Sequence, residues 1–560
     1  MPTTKRGGGW RVAPIGILLA GGLGACSGPL CERESDRGRH VGLDRLRDVQ
    51  PLSIEQFRAA GDSIPETSEQ AAARLERPPS RFDGLERVTL SLEQCRAEAL
   101  VNNLDLKVAL VDPLIAGETL NVERAKFDAV FQPFLRFRND DRPTLQTTSA
   151  NQQEALSIGG GVDIPLRTGG RISVDYAQSR VESAQAIFSA SQLYSSDATV
   201  SISQPLLRNA GRDVNVASIQ IAGYNQQIAE ARTKLQVIAQ IAATDRAYWR
   251  LYAAIEALRV VQQQYEVAAE QLAQAQRRVD AGDVAEIEIV RAQSGVAERL
   301  ESIIIAENNV LVAQRELKRV INTPGLDVGT RQMVIPGTSP EPVRYELEES
   351  PLLEMARTTR MELLEAELQL LADAVSEGFQ RNQLLPLLNL DASYTWSGLG
   401  TTFHDNNSEI ASGRFQSYSL GISGEVPLGN DAAEAQLRRA VFTRLQRAGS
   451  KEAREQSIRQ EVLDAIDRVR AGWQRILAAR QAAILAGRTL EGERRQLQQG
   501  VRTTTDVLDA AARLADAQLA EIRALADYQI AQTDLAVATG TTLGAGRVSW
   551  APDARNVPRE

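Results

Sequence analysis

The sequence predicts a duplicated α+β fold, in which one unit of helix, strands, very long helix and shorter helix occurs twice. Three observations carry this reading. The first is an internal repeat: residues 282–323 align without a gap on 500–541, 218 residues later. Gly282/Gly500, Ala292/Ala510, Ala313/Ala531, Gln314/Gln532, Leu317/Leu535 and Thr323/Thr541 are identical pairs, and Glu288/Asp506 and Glu316/Asp534 are conservative ones. The second is proline: none occurs in 206–323 or 428–551, so two long windows lack the residue that breaks helices. The third is what precedes each window, an alternating stretch that ends in Pro-Leu, at Pro205-Leu206 and at Pro427-Leu428. Each marks a strand-to-helix turn. A repeat of this length is settled before the fold, because it fixes the unit to be explained.

In chain order, residues 1–25 read as an export signal. Lys5, Arg6 and Arg11 precede an apolar run over 12–23 that is too short to span a bilayer as a stable helix. The run ends in Leu23-Gly24-Ala25-Cys26, which resembles a bacterial lipobox, so Cys26 is the expected lipidation site. Ser27 stands where an Asp would be an inner-membrane retention mark, so by resemblance to lipoprotein sorting rules the outer membrane is favoured. Residues 26–88, polar and punctuated by Pro51, Pro65, Pro78 and Pro79, read as a tether.

Repeat 1 covers 89–323. Ser91-Leu-Glu-Gln94 matches a capping box, and a helix is expected from there to about Phe131, kinked or interrupted at Pro113. Strands follow where 135–138 and 171–176 alternate, the latter after the turn signal Thr168-Gly-Gly170. Polar stretches 140–155, 178–197 and, in the second repeat, 399–414 read as loops. The first repeat holds an extra β-type segment over 156–195. In the long helix Ile221, Ile228, Leu235, Ala242 and Trp249 recur every seven residues, with a second seam at Ile241, Tyr248 and Ile255, which implies close helix pairs. At ~1.5 Å per residue such a helix reaches about 100 Å. Residues 324–348, with four prolines, read as a connector.

Repeat 2 covers 349–545, and 546–560 is a polar tail. Arg360-Met-Glu-Leu363 resembles Asn103-Leu-Asp-Leu106 of the first repeat. In the strand that follows, Leu388, Leu390, Ala392, Tyr394 and Trp396 face one way, and Asn389, Asp391, Ser393 and Thr395 the other. A strand of ~10 residues crosses a bilayer when tilted, and aromatic ends fit the girdles of membrane barrels. The fold class is therefore an α+β membrane protein.

Composition removes other classes. The net charge of -9 gives nucleic acid nothing to bind to. The only histidines are His40 and His404, the cysteines are Cys26, Cys31 and Cys95, and no P-loop or zinc-spaced cluster occurs. No cofactor, metal site or catalytic constellation is expected. An exported chain permits a Cys31–Cys95 disulfide, but the spacing does not demand it.

The stretch Gly500-Val-Arg-Thr-Thr-Thr-Asp-Val-Leu-Asp-Ala510, continued through Asp527-Tyr528, Ala531-Gln532, Leu535 and Thr539-Gly540, resembles the TolC family of outer-membrane efflux and secretion channels. Gln204-Pro-Leu-Leu207 is a second mark, and the resemblance covers about 90–545. It implies a homotrimer whose strands form one transmembrane β-barrel, continued by a periplasmic α-helical barrel. It implies docking on a periplasmic adaptor and an inner-membrane RND or ABC pump. By position, Gly282 and Gly500 would be the turns at the periplasmic tip, and Asp506 and Asp509 an acidic ring there. Glu288 would pair with Arg502 to hold the gate, and Leu497 stands where relatives carry tyrosine. The alternative is a periplasmic coiled-coil adaptor without a pore. Adaptors show one helical hairpin between small β domains, so two hairpins with two strand sets favour the channel, and an enzyme is a distant third. The exported substrate is not legible.

Overall fold

The computed structural model describes residues 54–57, 64, 67–75, 79–141, 152–183 and 192–546. The export signal, Cys26, Cys31, His40 and the tail beyond 546 lie outside the described residues. The chain divides into two compact units, 1–73 and 74–560. In the first, a 3-10 turn at Ile54–Phe57 and a short helix α1 (Ser68–Ala73) are described.

The second unit opens with β1 (Arg87–Leu90), which pairs in parallel with β6 (Met333–Pro336). The stretch read as a connector between repeats thus supplies a strand. Ser91 then caps α2 (Leu92–Asn102) in a full capping box with Gln94. The single helix expected to Phe131 is instead three pieces: α2, α3 (Leu104–Ala109) and α4 (Asp112–Ala125). Asn103 makes the first break, because its side chain accepts from the Leu106 N–H and starts a new helix. Pro113 sits in the first turn of α4, where its missing N–H costs nothing, so it begins a helix rather than kinking one.

Six strands form one antiparallel sheet: β2 (Val130–Asp141), β3 (Gln152–Pro165), β4 (Arg171–Ser183), β5 (Gln192–Pro205), β7 (Leu387–Gly400) and β8 (Gln416–Glu425), in the order β2-β3-β4-β5-β7-β8. The extra segment of repeat 1 is the β3–β4 hairpin. Much of what read as polar loop is strand. β4 runs to Ser183, β5 starts at Gln192, and 403–412 is a helix, α10 (Phe403–Ser412). The reason is that Ser and Gln fill the polar half of alternating strands, such as Ser179 and Ser195, and composition alone does not separate them from loop residues.

After each strand set come a long helix and a shorter one. Repeat 1 has α5 (Arg212–Asn215), α6 (Ala217–Asp280, 64 residues) and α7 (Ile287–Ile321). Repeat 2 begins with α8 (Glu349–Thr359) and α9 (Met361–Asn382) and ends with α11 (Asp431–Gln498, 68 residues), α12 (Thr504–Ala538) and α13 (Thr542–Ala545). The long helices reach about 100 Å. α6 packs against α7, α12, α9 and α4, and α11 against α12 and α9. The main core gathers Tyr248, Trp249, Leu251, Leu317 and Ile321 under Cys95 and Val334. Cys95 is a fully buried free thiol, pushed up to about 12 by burial first and then by Asp245 and Glu98. It is a core residue rather than a reactive one. Beside it Arg96 clasps the buried Asp245 with two bonds of 2.7 and 2.6 Å, and Thr533 of repeat 2 reaches the same carboxylate at 3.3 Å. No helix among the described residues is long and apolar enough to cross a membrane.

Candidate functional site: the two-faced sheet and the helical tip

The sheet separates two chemistries from β3 to β8, while on β2 Val130 and Phe134 stand on the side that is otherwise largely polar. On one face a single row runs Phe131–Val162–Val174–Val200–Tyr394–Tyr418, one residue from each strand and each paired with the next. On the other face the row Asp163–Ser173–Ser201–Ser393–Ser419 is polar. Hydrogen bonds link that face from strand to strand: Ser173 with Ser201 at 2.5 Å, Ser203 to Asp391 at 2.6 Å, Thr199 with Thr395 at 3.0 Å and Ser393 with Ser419 at 2.8 Å. The apolar face suits lipid and the polar face suits water, and strands of 10 to 14 residues are long enough to span when tilted. Among the described residues the outermost strands, β2 and β8, have no partner on their outer sides, and their apolar residues stand open: Leu135 72%, Tyr418 83%, Leu420 74% exposed. Open edges are not tolerated in lipid, so this sheet requires closure.

Pro205 ends β5 opposite Asn389, and Pro427 follows the end of β8, four residues before α11. At the far end of the long helices the two turns are built alike. Gly282 and Gly500 adopt φ of +80° and +73°. The residue after each donates back across the turn, Asp283 to the Arg278 carbonyl at 2.9 Å and Val501 to the Gln496 carbonyl at 3.0 Å. This is a glycine-terminated helix end. Glu288, Arg278, Leu497 and Thr504 line one shallow recess, so both turns meet in a single chain.

The charged residues expected at the tip are placed as follows. Within the chain Glu288 pairs with Arg291 at 2.6 Å, and Arg502 lies 3.2 Å from Glu493 and 4.0 Å from Asp506. The chain does not join Glu288 to Arg502, because each has a nearer partner on its own hairpin. Asp506 is the third residue of a capping box: its carboxylate accepts from the Thr503 N–H and hydroxyl at 2.9 and 2.8 Å. Those bonds hold its carboxyl below the usual range. Asp509 is exposed, with no hydrogen bond or ion pair among the described residues. Leu497 is buried with Leu490, Val507, Ala510 and Ala511, so it is a core residue of the tip.

The family model described as outer membrane efflux protein matches residues 188–323 and 352–541. The chain belongs to the outer membrane efflux protein family. It is 25% identical over 325 residues to the outer membrane protein TolC of Vibrio cholerae, across 56% of this chain and 69% of that one. It is 26% identical over 313 residues to TolC of Escherichia coli K12, across 53% of this chain and 60% of that one. The crystal structure of the Campylobacter jejuni CmeC outer membrane channel covers 86% of this chain and 94% of its own at a TM-score of 0.60 and 15% identity, which establishes the fold.

The protein is therefore an outer-membrane efflux channel, with the two-faced sheet in the membrane and the helical tunnel in the periplasm. The pore-free adaptor alternative is not supported. The family and its relatives are channel proteins rather than enzymes. Sequence reading placed Asn389, Asp391, Ser393 and Thr395 on one face but missed the bonds of the last three to the neighbouring strands, although a signal, Ser or Thr at 195, 199, 201 and 203 of β5 and at 393, 395 and 397 of β7, was present. It also missed Thr503, whose spacing to Asp506 is that of a cap.

Proposed function

We propose that three copies of this chain close one barrel and one tunnel, and that the tunnel docks on a periplasmic adaptor and an inner-membrane pump of the RND or ABC class. The observation that carries this reading is the sheet: largely apolar on one face, largely polar on the other, unpaired at both edges among the described residues and continuous with helices of about 100 Å. One sheet cannot close on itself with its polar face inward, whereas several can join β2 to β8. Lipidation at Cys26 adds an anchor in the outer membrane, and small molecules are the favoured cargo. The tip turns at Gly282 and Gly500 form the gate, with Asp506 and Asp509 as a ring of carboxylates. Glu288 and Arg502, each engaged within its own hairpin, contribute ties between chains. Each exposed tie is worth only ~0–1 kcal/mol, which suits a gate that a docking partner opens.

Planar-bilayer recordings of the purified oligomer test the tip. Asp506→Asn with Asp509→Asn is expected to reduce cation selectivity, because a carboxylate ring attracts cations. Arg502→Ser is expected to raise single-channel conductance. Wild-type behaviour in both variants would remove these residues from the gate. Independently, Cys26→Ser is expected to abolish acyl labelling.

A further inference from the structure

The two repeats do not contribute equally to the sheet. Repeat 2 places two strands, β7 and β8, between its leading and long helices, joined through α10. Repeat 1 places four in the same interval. We infer that the β3–β4 hairpin is part of the barrel wall, so that a ring of three chains closes with eighteen strands, six from each, instead of the twelve that two strands per repeat would give. The inference rests on the three-chain reading proposed above and deepens it, because it sets the bore of the outlet.

Three observations place the hairpin in the wall. β3 pairs with β2 along all twelve residues of β2, and β4 pairs with β5 from Arg171↔Ser203 to Glu182↔Gln192. The faces stay in phase through the hairpin: Val162 and Val174 continue the apolar row from Phe131 to Val200, and Asp163 and Ser173 continue the polar row into Ser201. An accessory flap laid over the sheet would bury one of those faces and break the phase. Finally, the joint to β2 is closely fitted. A side chain at Gly159 would meet the Tyr176 carbonyl and the Phe134 ring, and one at Gly160 would meet the Phe131 ring. Aromatic side chains of β2 thus cover glycines of β3, a device that pins register.

The consequence is size. Barrel diameter grows roughly linearly with strand number, so eighteen strands make a ring about 1.5-fold wider than twelve, wide enough for an open aqueous lumen. The outlet then does not sieve, and size selection is left to the helical tip. Because β2 and β5 run antiparallel to each other across the hairpin, removing it leaves two strands that are able to pair directly.

The test uses the full chain in lipid nanodiscs. Electron cryomicroscopy is expected to show eighteen strands around three chains. Neutral polymers added from the extracellular side of a planar bilayer are expected to enter the wild-type barrel up to a size that a variant lacking 142–191, with an Asn-Gly turn in its place, excludes. A three-chain tunnel crowned by twelve strands, with the hairpin outside the wall, would overturn the inference while leaving the channel reading intact. So would an unchanged polymer limit in an assembled deletion variant. If that variant does not assemble, the wild-type strand count decides alone. A ring of a different number of chains would overturn both the count of eighteen and the three-chain reading, and the same images report it separately.

Discussion

One corner of this molecule is built twice, with different chemistry. In repeat 1 Asn103 ends α2 and begins α3 with φ -61° and ψ 128°, and its amide donates to the Val320 carbonyl at 2.9 Å. In repeat 2 Arg360 ends α8 and begins α9 with φ -70° and ψ 121°, and its guanidinium donates to the Ala538 carbonyl at 3.1 Å. Val320 and Ala538 stand 218 residues apart, the offset of the repeat itself. The duplication has kept a backbone shape and a bond to the end of the shorter helix while exchanging a neutral donor for a charged one. The charge brings its own compensation: Arg360 is bound by Glu362 and Glu461, each at 2.8 Å, with Arg454 behind Glu362 at 3.2 Å. Asn103 needs none of this. The long helices differ too. α6 has buried residues along its length, whereas α11 has none before Ile458, and Phe442 and Leu445 stand 64% and 67% exposed. Repeat 1 is packed within the chain, while repeat 2 offers the free flank.

The largest expected effect comes from unbalancing the charged corner. Arg360→Met removes the buried cation from between Glu362 and Glu461 and is expected to cost ~3 kcal/mol, the low end of the range for breaking a buried ion pair, because Arg454 still reaches both carboxylates. Asn103→Ala is expected to cost ~0.5–2 kcal/mol, mainly the lost cap on the Leu106 N–H, because Gln240 still donates to the Val320 carbonyl at 3.0 Å. The pH dependence separates them further. Burial pushes the Glu362 carboxyl up, but bonds from Arg360 outweigh it and hold the group below the usual range. A depressed carboxylate stabilises above its unfolded value and loses that contribution as pH falls through the folded one. The Arg360→Met penalty is therefore greatest at neutral pH and shrinks on acidification below about pH 4.5, whereas the Asn103→Ala penalty is flat there. Denaturant midpoints of the detergent-solubilised protein at both pH values measure this. Equal costs with equal pH profiles would mean that the two corners are the same device.

Next in size is the sheet, where both repeats are expected to behave as one wall. Tyr394→Arg in repeat 2 and Val174→Arg in repeat 1 lie in the same apolar row, and each is expected to cost ~2–4 kcal/mol near the bilayer midplane. Ser393→Arg and Ser173→Arg, on the polar row, are expected to be mild. The fraction of heat-resistant oligomer on a gel reads the difference. A harmless Val174→Arg beside a damaging Tyr394→Arg would confine the wall to repeat 2.

What the sequence made legible follows from how local each cause is. The repeat, the two glycine turns and the long helices were readable because small residues and glycines recur at fixed spacing along one element. The capping box at Ser91 was readable because all its partners lie within four residues. The break at Asn103 has a local half, the cap on the Leu106 N–H, which went unread; its bond to Val320 spans 217 residues and was not legible. Nor was the β1–β6 pairing, which joins residues on either side of repeat 1. At the tip, Asp506 was read for a pore ring alone, and its bonds to Thr503, which cap its own helix, went unread. Glu288 and Arg502 were paired by matched offset, whereas in the folded chain each meets a residue three to nine positions away on its own hairpin.

The smallest expected effect tests whether the two tips are equivalent. In repeat 2 Thr503 caps α12, its hydroxyl bonding Asp506 while the Asp506 carboxylate bonds back. In repeat 1 no side chain caps α7. The residue 218 positions before Thr503 is Ala285, and Glu288 already stands three residues on, where the second half of a capping box belongs. Thr503→Ala is expected to lose ~0.5–2 kcal/mol of local helix stability. Ala285→Thr is expected to gain the smaller share of that range, because Glu288 must leave Arg291, which it now holds at 2.6 Å. Amide hydrogen exchange reads both: faster exchange over 503–508 in the first variant, slower exchange over 285–290 in the second, with the opposite tip unchanged each time. If Ala285→Thr leaves exchange at its own tip untouched, then the two turns share only their glycines, and the asymmetry of the caps is built into the backbone rather than into one side chain.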